Sequence, residues 1–91
     1  MDEAIEFEWD KGNAGKNLGK HGVSDKECEE VFLNKPDITA DDTHSQEEKR
    51  FRASGKTNEN RPLVVIFTLR KKWVRVISAR DMNKKEKGEF K

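Results

Sequence analysis

The chain has 91 residues, 32% of them hydrophobic and 41% charged, with a formal net charge of +1. That length holds one domain, 1–91, with a small core and a heavily solvated surface. So charged a composition would fit a disordered chain, but the dense apolar segments Leu63–Leu69 and Trp73–Ala79 stand against that reading and favour a folded domain.

In chain order, Glu6–Trp9 alternates charged and aromatic residues, the pattern of a short edge strand. Asp10 stands where it caps a helix over Lys11–Lys20, with Ala14 and Leu18 four apart on its apolar side. Gly12, Gly15 and Gly19 weaken that helix by about 1 kcal/mol each, so it depends on packing. Gly22 suits its termination. Ser24-Asp25-Lys26-Glu27 is a capping box that starts a second helix, whose buried stripe is Cys28, Val31 and Phe32. Pro36 ends it by biasing Lys35 out of the helical region. A weak strand follows around Ile38-Thr39-Ala40.

Glu48–Lys56 sets Phe51, Ala53 and Gly55 against Arg50, Arg52, Ser54 and Lys56, one face apolar and small, the other cationic. Leu63–Leu69 is apolar on both faces, as a central strand covered on both sides requires. Arg70-Lys71-Lys72 joins it as a hairpin to the β-branched Trp73–Arg80. Asp81 is placed to cap a last helix, Met82–Phe90, whose surface is mostly charged. The expected fold is α+β: an antiparallel sheet of about four to five strands, two N-terminal helices and a C-terminal helix, the helices mainly on one side.

Charge is segregated along the chain. Residues 1–48 hold 5 Lys/Arg and 14 Asp/Glu, whereas residues 49–91 hold 14 and 4. Such asymmetry suggests an interaction surface if folding keeps the signs on different faces, and mutual neutralisation if it interleaves them. Cys28 is alone, which excludes an intramolecular disulfide and a cysteine-based zinc site, and two histidines 23 positions apart make no metal cluster. The acidic N-terminus has no signal-peptide pattern, and Leu63–Phe67 is too short an apolar run to cross a bilayer, so a cytoplasmic protein is expected.

Phe7-Glu8-Trp9-Asp10 and Lys20-His21-Gly22-Val23 bring together groups that stack a base, move a proton and hold a phosphate. His21 is the natural proton carrier, since imidazole titrates near neutrality; equally, it is a helix-terminal histidine favoured by the dipole. Trp9 is either a stacking platform or a core-edge residue. Glu48 is either a general base or the partner of a neighbouring arginine. Arg50, Arg61, Arg75 and Arg80 are candidates to grip phosphate bidentately, with Arg80 at a strand end the first of them. His44 lies in the polar turn Asp42-Thr43-His44-Ser45 and carries less weight.

These blocks form an ordered series with Phe32, Glu48, Arg50-Phe51, Gly55, Leu63-Val64-Val65, Phe67-Thr68 and Arg75–Arg80, which resembles the BrnT family of bacterial type II toxins from Phe7 to about Glu86. The resemblance implies a RelE-like fold and a metal-independent endoribonuclease that cleaves mRNA, free or on the ribosome, without a cofactor. It further implies neutralisation by a BrnA-type ribbon-helix-helix antitoxin, through which the pair reaches operator DNA, and no membrane contact. The candidate site residues are then His21, Glu48, Arg50 and Arg80 for catalysis and Trp9, Lys20, Arg61 and Arg75 for RNA binding, with His44 in reserve and no metal ligands. The other class of function open to such a chain is a non-catalytic module that binds the antitoxin and acts as co-repressor.

Overall fold

The computed structural model describes residues 5–41 and 48–90. His44 and its turn therefore lie outside the described residues. The elements are β1 (Glu6–Phe7), α1 (Lys16–His21), α2 (Asp25–Leu33), β2 (Asp37–Ala40), β3 (Arg50–Lys56), β4 (Pro62–Arg70), β5 (Trp73–Asp81) and α3 (Lys84–Glu89). The strands form one five-stranded sheet in the order β1-β5-β4-β3-β2. β2 through β5 pair antiparallel as expected, while β1 runs parallel to β5, so the sheet is mixed at that edge.

α2 forms where its sequence says it should. Ser24 Oγ accepts the Glu27 N–H at 3.1 Å while the Glu27 carboxylate accepts the Ser24 N–H at 2.9 Å, satisfying two orphan donors reciprocally. Its Cys28, Val31 and Phe32 are buried and pack on Ala53, Leu63, Val65, Phe67, Val76 and Ala79 of the sheet. Phe32 is the aromatic hub of this core: its ring meets Phe67 edge-on at 4.9 Å and Phe7 at 5.5 Å, a favoured quadrupole geometry.

The segment before α2 departs from the expected helix over Lys11–Lys20. Residues 11–15 are a series of turns, and α1 begins only at Lys16 because Gly15 sits at φ 72, outside the helical region. Gly22 ends it at φ 67, donating its N–H to Leu18 O at 3.1 Å. The apolar pair expected inside, Ala14 and Leu18, is exposed, Leu18 at 57%. Asn13 and Asn17 are buried instead. The reason is the edge of β5, which β1 covers only at Trp73 and Val74. Beyond that point the two amides replace a partner strand: Asn13 Nδ2 donates to Val76 O at 3.1 Å, and Asn17 Oδ1 accepts the Ala79 N–H at 3.0 Å. An edge that would otherwise leave buried backbone groups unpaired is thus closed by side chains.

The C-terminal end differs in the same local way. β5 continues through Asp81, which pairs with Leu63, so the cap of α3 is Asn83 rather than Asp81. α3 buries none of its residues.

Candidate functional site

Side chains alternate along a strand, so the pairing registers fix what each face presents. Phe51, Ala53, Leu63, Val65, Phe67, Val74, Val76 and Ala79 look toward α2 and the core. The opposite face is crossed by three rows. Arg50, Thr68 and Arg75 form the first; Arg52, Ile66 and Ser78 the second; Ser54, Val64 and Arg80 the third. Arg75 and Arg80 are separated by an odd number of positions, which in a regular strand sends them to opposite faces. The register shifts between Ile66 and Phe67, leaving Ile77 without a partner on β4, and this β-bulge reverses the alternation. It is the bulge that places Arg75 and Arg80 on the face that already carries Arg50 and Arg52.

Carboxylates hold these cations at two ends of the face. At one end the Arg75 guanidinium, 12% exposed, donates to Glu8 at 3.1 Å and to both oxygens of Asp10 at 2.9 and 3.0 Å. The Arg75 hydrogen bonds are the main reason the Asp10 carboxyl lies below its ordinary range. Arg70 extends the network, reaching Glu48 at 3.1 Å and Glu8 at 3.6 Å. Hydrogen bonding to Arg70, with a smaller contribution from the charge of Arg50, holds Glu48 below the usual carboxylate range. At the other end Arg80 makes a two-pronged contact with Glu86 of α3 at 2.8 and 2.9 Å, and Arg52 lies 3.8 Å from the same carboxylate. Arg80 holds Glu86 down to about 2.

A third cluster sits where β4 begins and β5 ends. Arg61 binds Asp81 at 2.7 and 3.0 Å, Glu27 at 3.1 Å and the backbone oxygen of Gly22 at 2.9 Å. It therefore ties the turn after α1 to the start of α2 and to the end of β5.

A family model for the ribonuclease toxin BrnT of type II toxin–antitoxin systems matches residues 9–86. The chain belongs to the BrnT family. No curated protein matches it. As a BrnT-family member it comes from a family of ribonuclease toxins whose partners are antitoxins.

The BrnT fold distributes the residues singled out from sequence into groups. Arg50, Arg75 and Arg80 share this face, Arg50 and Arg75 in one row and Arg80 two rows on, which is four positions of β3 or β4 and about 13 Å along the strands. Glu48 lies at the Arg50 end, next to Arg70. Lys20 and His21 are exposed in the last turn of α1, alongside the β5 edge, with the His21 backbone oxygen 3.5 Å from Arg61 Nη2. His21 is close enough to Asp81 to lower its carboxyl, though less than Arg61 does. Trp9 packs against the core on the α2 side, and its indole N–H donates to Glu29 at 2.7 Å. Arg61 is committed to the carboxylates of Asp81 and Glu27.

Two residues at the Arg80 end of this face are not singled out by the sequence. Arg52 lies in view on the cationic side of its strand, but only the folded chain shows that it shares a carboxylate with Arg80. Glu86 gave no signal, since nothing local says which face α3 will cover. Among the described residues, no set of three His, Cys, Asp or Glu side chains gathers where it could hold a metal ion. No helix among them is long and apolar enough to cross a membrane.

Proposed function

We infer that this BrnT-family chain is an endoribonuclease that cleaves mRNA in the bacterial cytoplasm by metal-independent transesterification. The observation that carries the reading is the bulge in β5, which aligns Arg75 and Arg80 with Arg50 on a single sheet face, an arrangement suited to a phosphate backbone. RNA cleavage of this kind needs a base at the 2′-hydroxyl, an acid at the leaving 5′-oxygen, and cations on the developing phosphorane charge. In this reading Arg80 and Arg50 hold separate phosphates of the backbone, His21 moves a proton beside the end of β5, and Glu48 orients Arg70 next to Arg50. Lys20 and Arg75 add backbone contacts. The cognate partner is a BrnA-type antitoxin with a ribbon-helix-helix domain, and the pair meets operator DNA through it.

Inducible expression in bacteria tests this. Growth arrest by the wild-type chain, relieved by Arg80→Ala or His21→Ala, supports the assignment. Arrest unaffected by both substitutions moves the chemistry to Glu48 and His44, and absence of arrest in an antitoxin-free strain counts against a toxin ribonuclease.

One observation favours a second reading. Arg61, Arg75 and Arg80 are each held by carboxylates, as in a surface built for structure. On that basis the chain is a catalytically weak module that serves as antitoxin partner and co-repressor. It then arrests no growth, yet forms a tight complex whose operator affinity exceeds that of the antitoxin alone.

A further inference from the structure

We propose that Arg52 and Arg80 form an anion subsite for an RNA phosphate, occupied in the free chain by the carboxylate of Glu86, so that α3 is a displaceable cover on the arginine face. The proposal rests on the ribonuclease reading and names both the subsite and what keeps it closed.

The geometry is that of a bound anion. Arg80 presents its fork to both oxygens of Glu86 at 2.8 and 2.9 Å, and Arg52 approaches from the neighbouring row at 3.8 Å. The Glu86 side chain is 15% exposed, whereas those of Arg80 and Arg52 are 39% and 43% exposed. Guanidinium groups read carboxylate and phosphate oxygens through the same planar, bidentate hydrogen bonding. A phosphate reaching this point meets two arginines on the face that also carries Arg50 and Arg75.

The element that delivers Glu86 is poorly anchored. α3 has six residues, none of them buried, and its capping box lies within Asn83–Glu86 and goes with it when it moves. A helix of that length has little stability of its own and depends on its contacts. Between it and the sheet is an open cleft of about 170 Å³, lined by Asp37, Thr39, Arg52 and Ser54 on one side and Glu86, Glu89 and Phe90 on the other. α3 thus bridges the cleft through one carboxylate, that of Glu86, shared by Arg80 and Arg52, without filling it.

The test is the affinity of the full-length chain for a short single-stranded RNA with 2′-O-methyl riboses, which binds without being cleaved, read by fluorescence anisotropy. Glu86→Gln keeps the size of the side chain, removes its charge and leaves Arg80 one neutral acceptor in place of two, which weakens the hold on both arginines. It is expected to tighten binding about tenfold and to steepen the salt dependence. Glu89→Gln removes the same charge from the same helix without freeing an arginine, and is expected to change affinity less than about threefold. Arg52→Ala in the Glu86→Gln background should remove most of the gain. Glu86→Asp preserves the charge while drawing the carboxylate away from Arg80, and gives an intermediate gain in a chain that stays folded. Equal effects of Glu86→Gln and Glu89→Gln, or no gain from either Glu86 variant, overturn the cover. If the wild-type chain cleaves RNA and the Glu86 variants bind no better, the cover alone is wrong. A chain that binds RNA in no variant overturns the ribonuclease reading along with it.

Discussion

Asn17→Ala removes the amide oxygen that receives the Ala79 N–H at 3.0 Å on the uncovered stretch of the β5 edge. Asn17 is 4% exposed and Ala79 0%, so water does not reach the donor that is left behind. An unsatisfied buried donor costs about 1–3 kcal/mol, and alanine returns roughly half a kilocalorie through its better helix propensity. The net loss expected is about 1.5 kcal/mol. For a chain of this size that lowers Tm by about 6–12 °C. Thermal unfolding followed by circular dichroism measures the shift, and amide hydrogen exchange locates it, since the Ala79 amide should lose protection before its neighbours. The control is Leu18→Ala, the next residue along, 57% exposed and expected to stay within about 0.5 kcal/mol of wild type. An Asn17→Ala chain with Tm within about 2 °C of wild type and unchanged Ala79 exchange would refute the claim that the amides stand in for a strand.

Two further outcomes follow from the ion pairs. Glu86 is held at about 2, chiefly by its hydrogen bonds to Arg80, against an ordinary value of 4.5. A carboxyl lowered by folding contributes stability above its unfolded value, and loses it as the pH falls from about 4.5 toward 2. The Glu86 carboxyl carbon should therefore titrate near the lower value by NMR, and Arg80→Ala should move its midpoint up toward the ordinary one. For Arg61→Ala, loss of the contacts to Asp81, Glu27 and Gly22 O should destabilise the chain by about 1–2 kcal/mol in urea unfolding. The Asp81 carboxyl, held down mainly by Arg61, should rise in the same variant.

How far the sequence could be read depends on whether the cause was local. The α2 capping box and the Cys28, Val31, Phe32 stripe were legible because both are set within one helix. The strands β3, β4 and β5 were legible because alternation marks a strand with two unlike faces and full apolarity marks the central one. α1 was misjudged because Asn13 and Asn17 look like solvent-facing residues until β5 offers them an unpaired edge. The arginine face was only partly legible. Alternation shows Arg50 and Arg52 together, but Arg75 and Arg80 have opposite parity, and only the bulge at Ile77 brings them to the same side. The contact of Glu86 with Arg80 depends on where a short helix without buried residues settles, which no local pattern encodes.

The most direct test of the central claim is end-group analysis of RNA exposed to the purified chain, freed of antitoxin, with mRNA alone in excess chelator and, in parallel, with mRNA on ribosomes at their working magnesium concentration. Metal-independent transesterification predicts cleaved mRNA ending in 2′,3′-cyclic phosphate, at an unchanged rate with chelator present and at a rate about a hundredfold lower for Arg80→Ala. Intact RNA, or cleavage that stops with chelator and leaves 3′-hydroxyl ends, would contradict it.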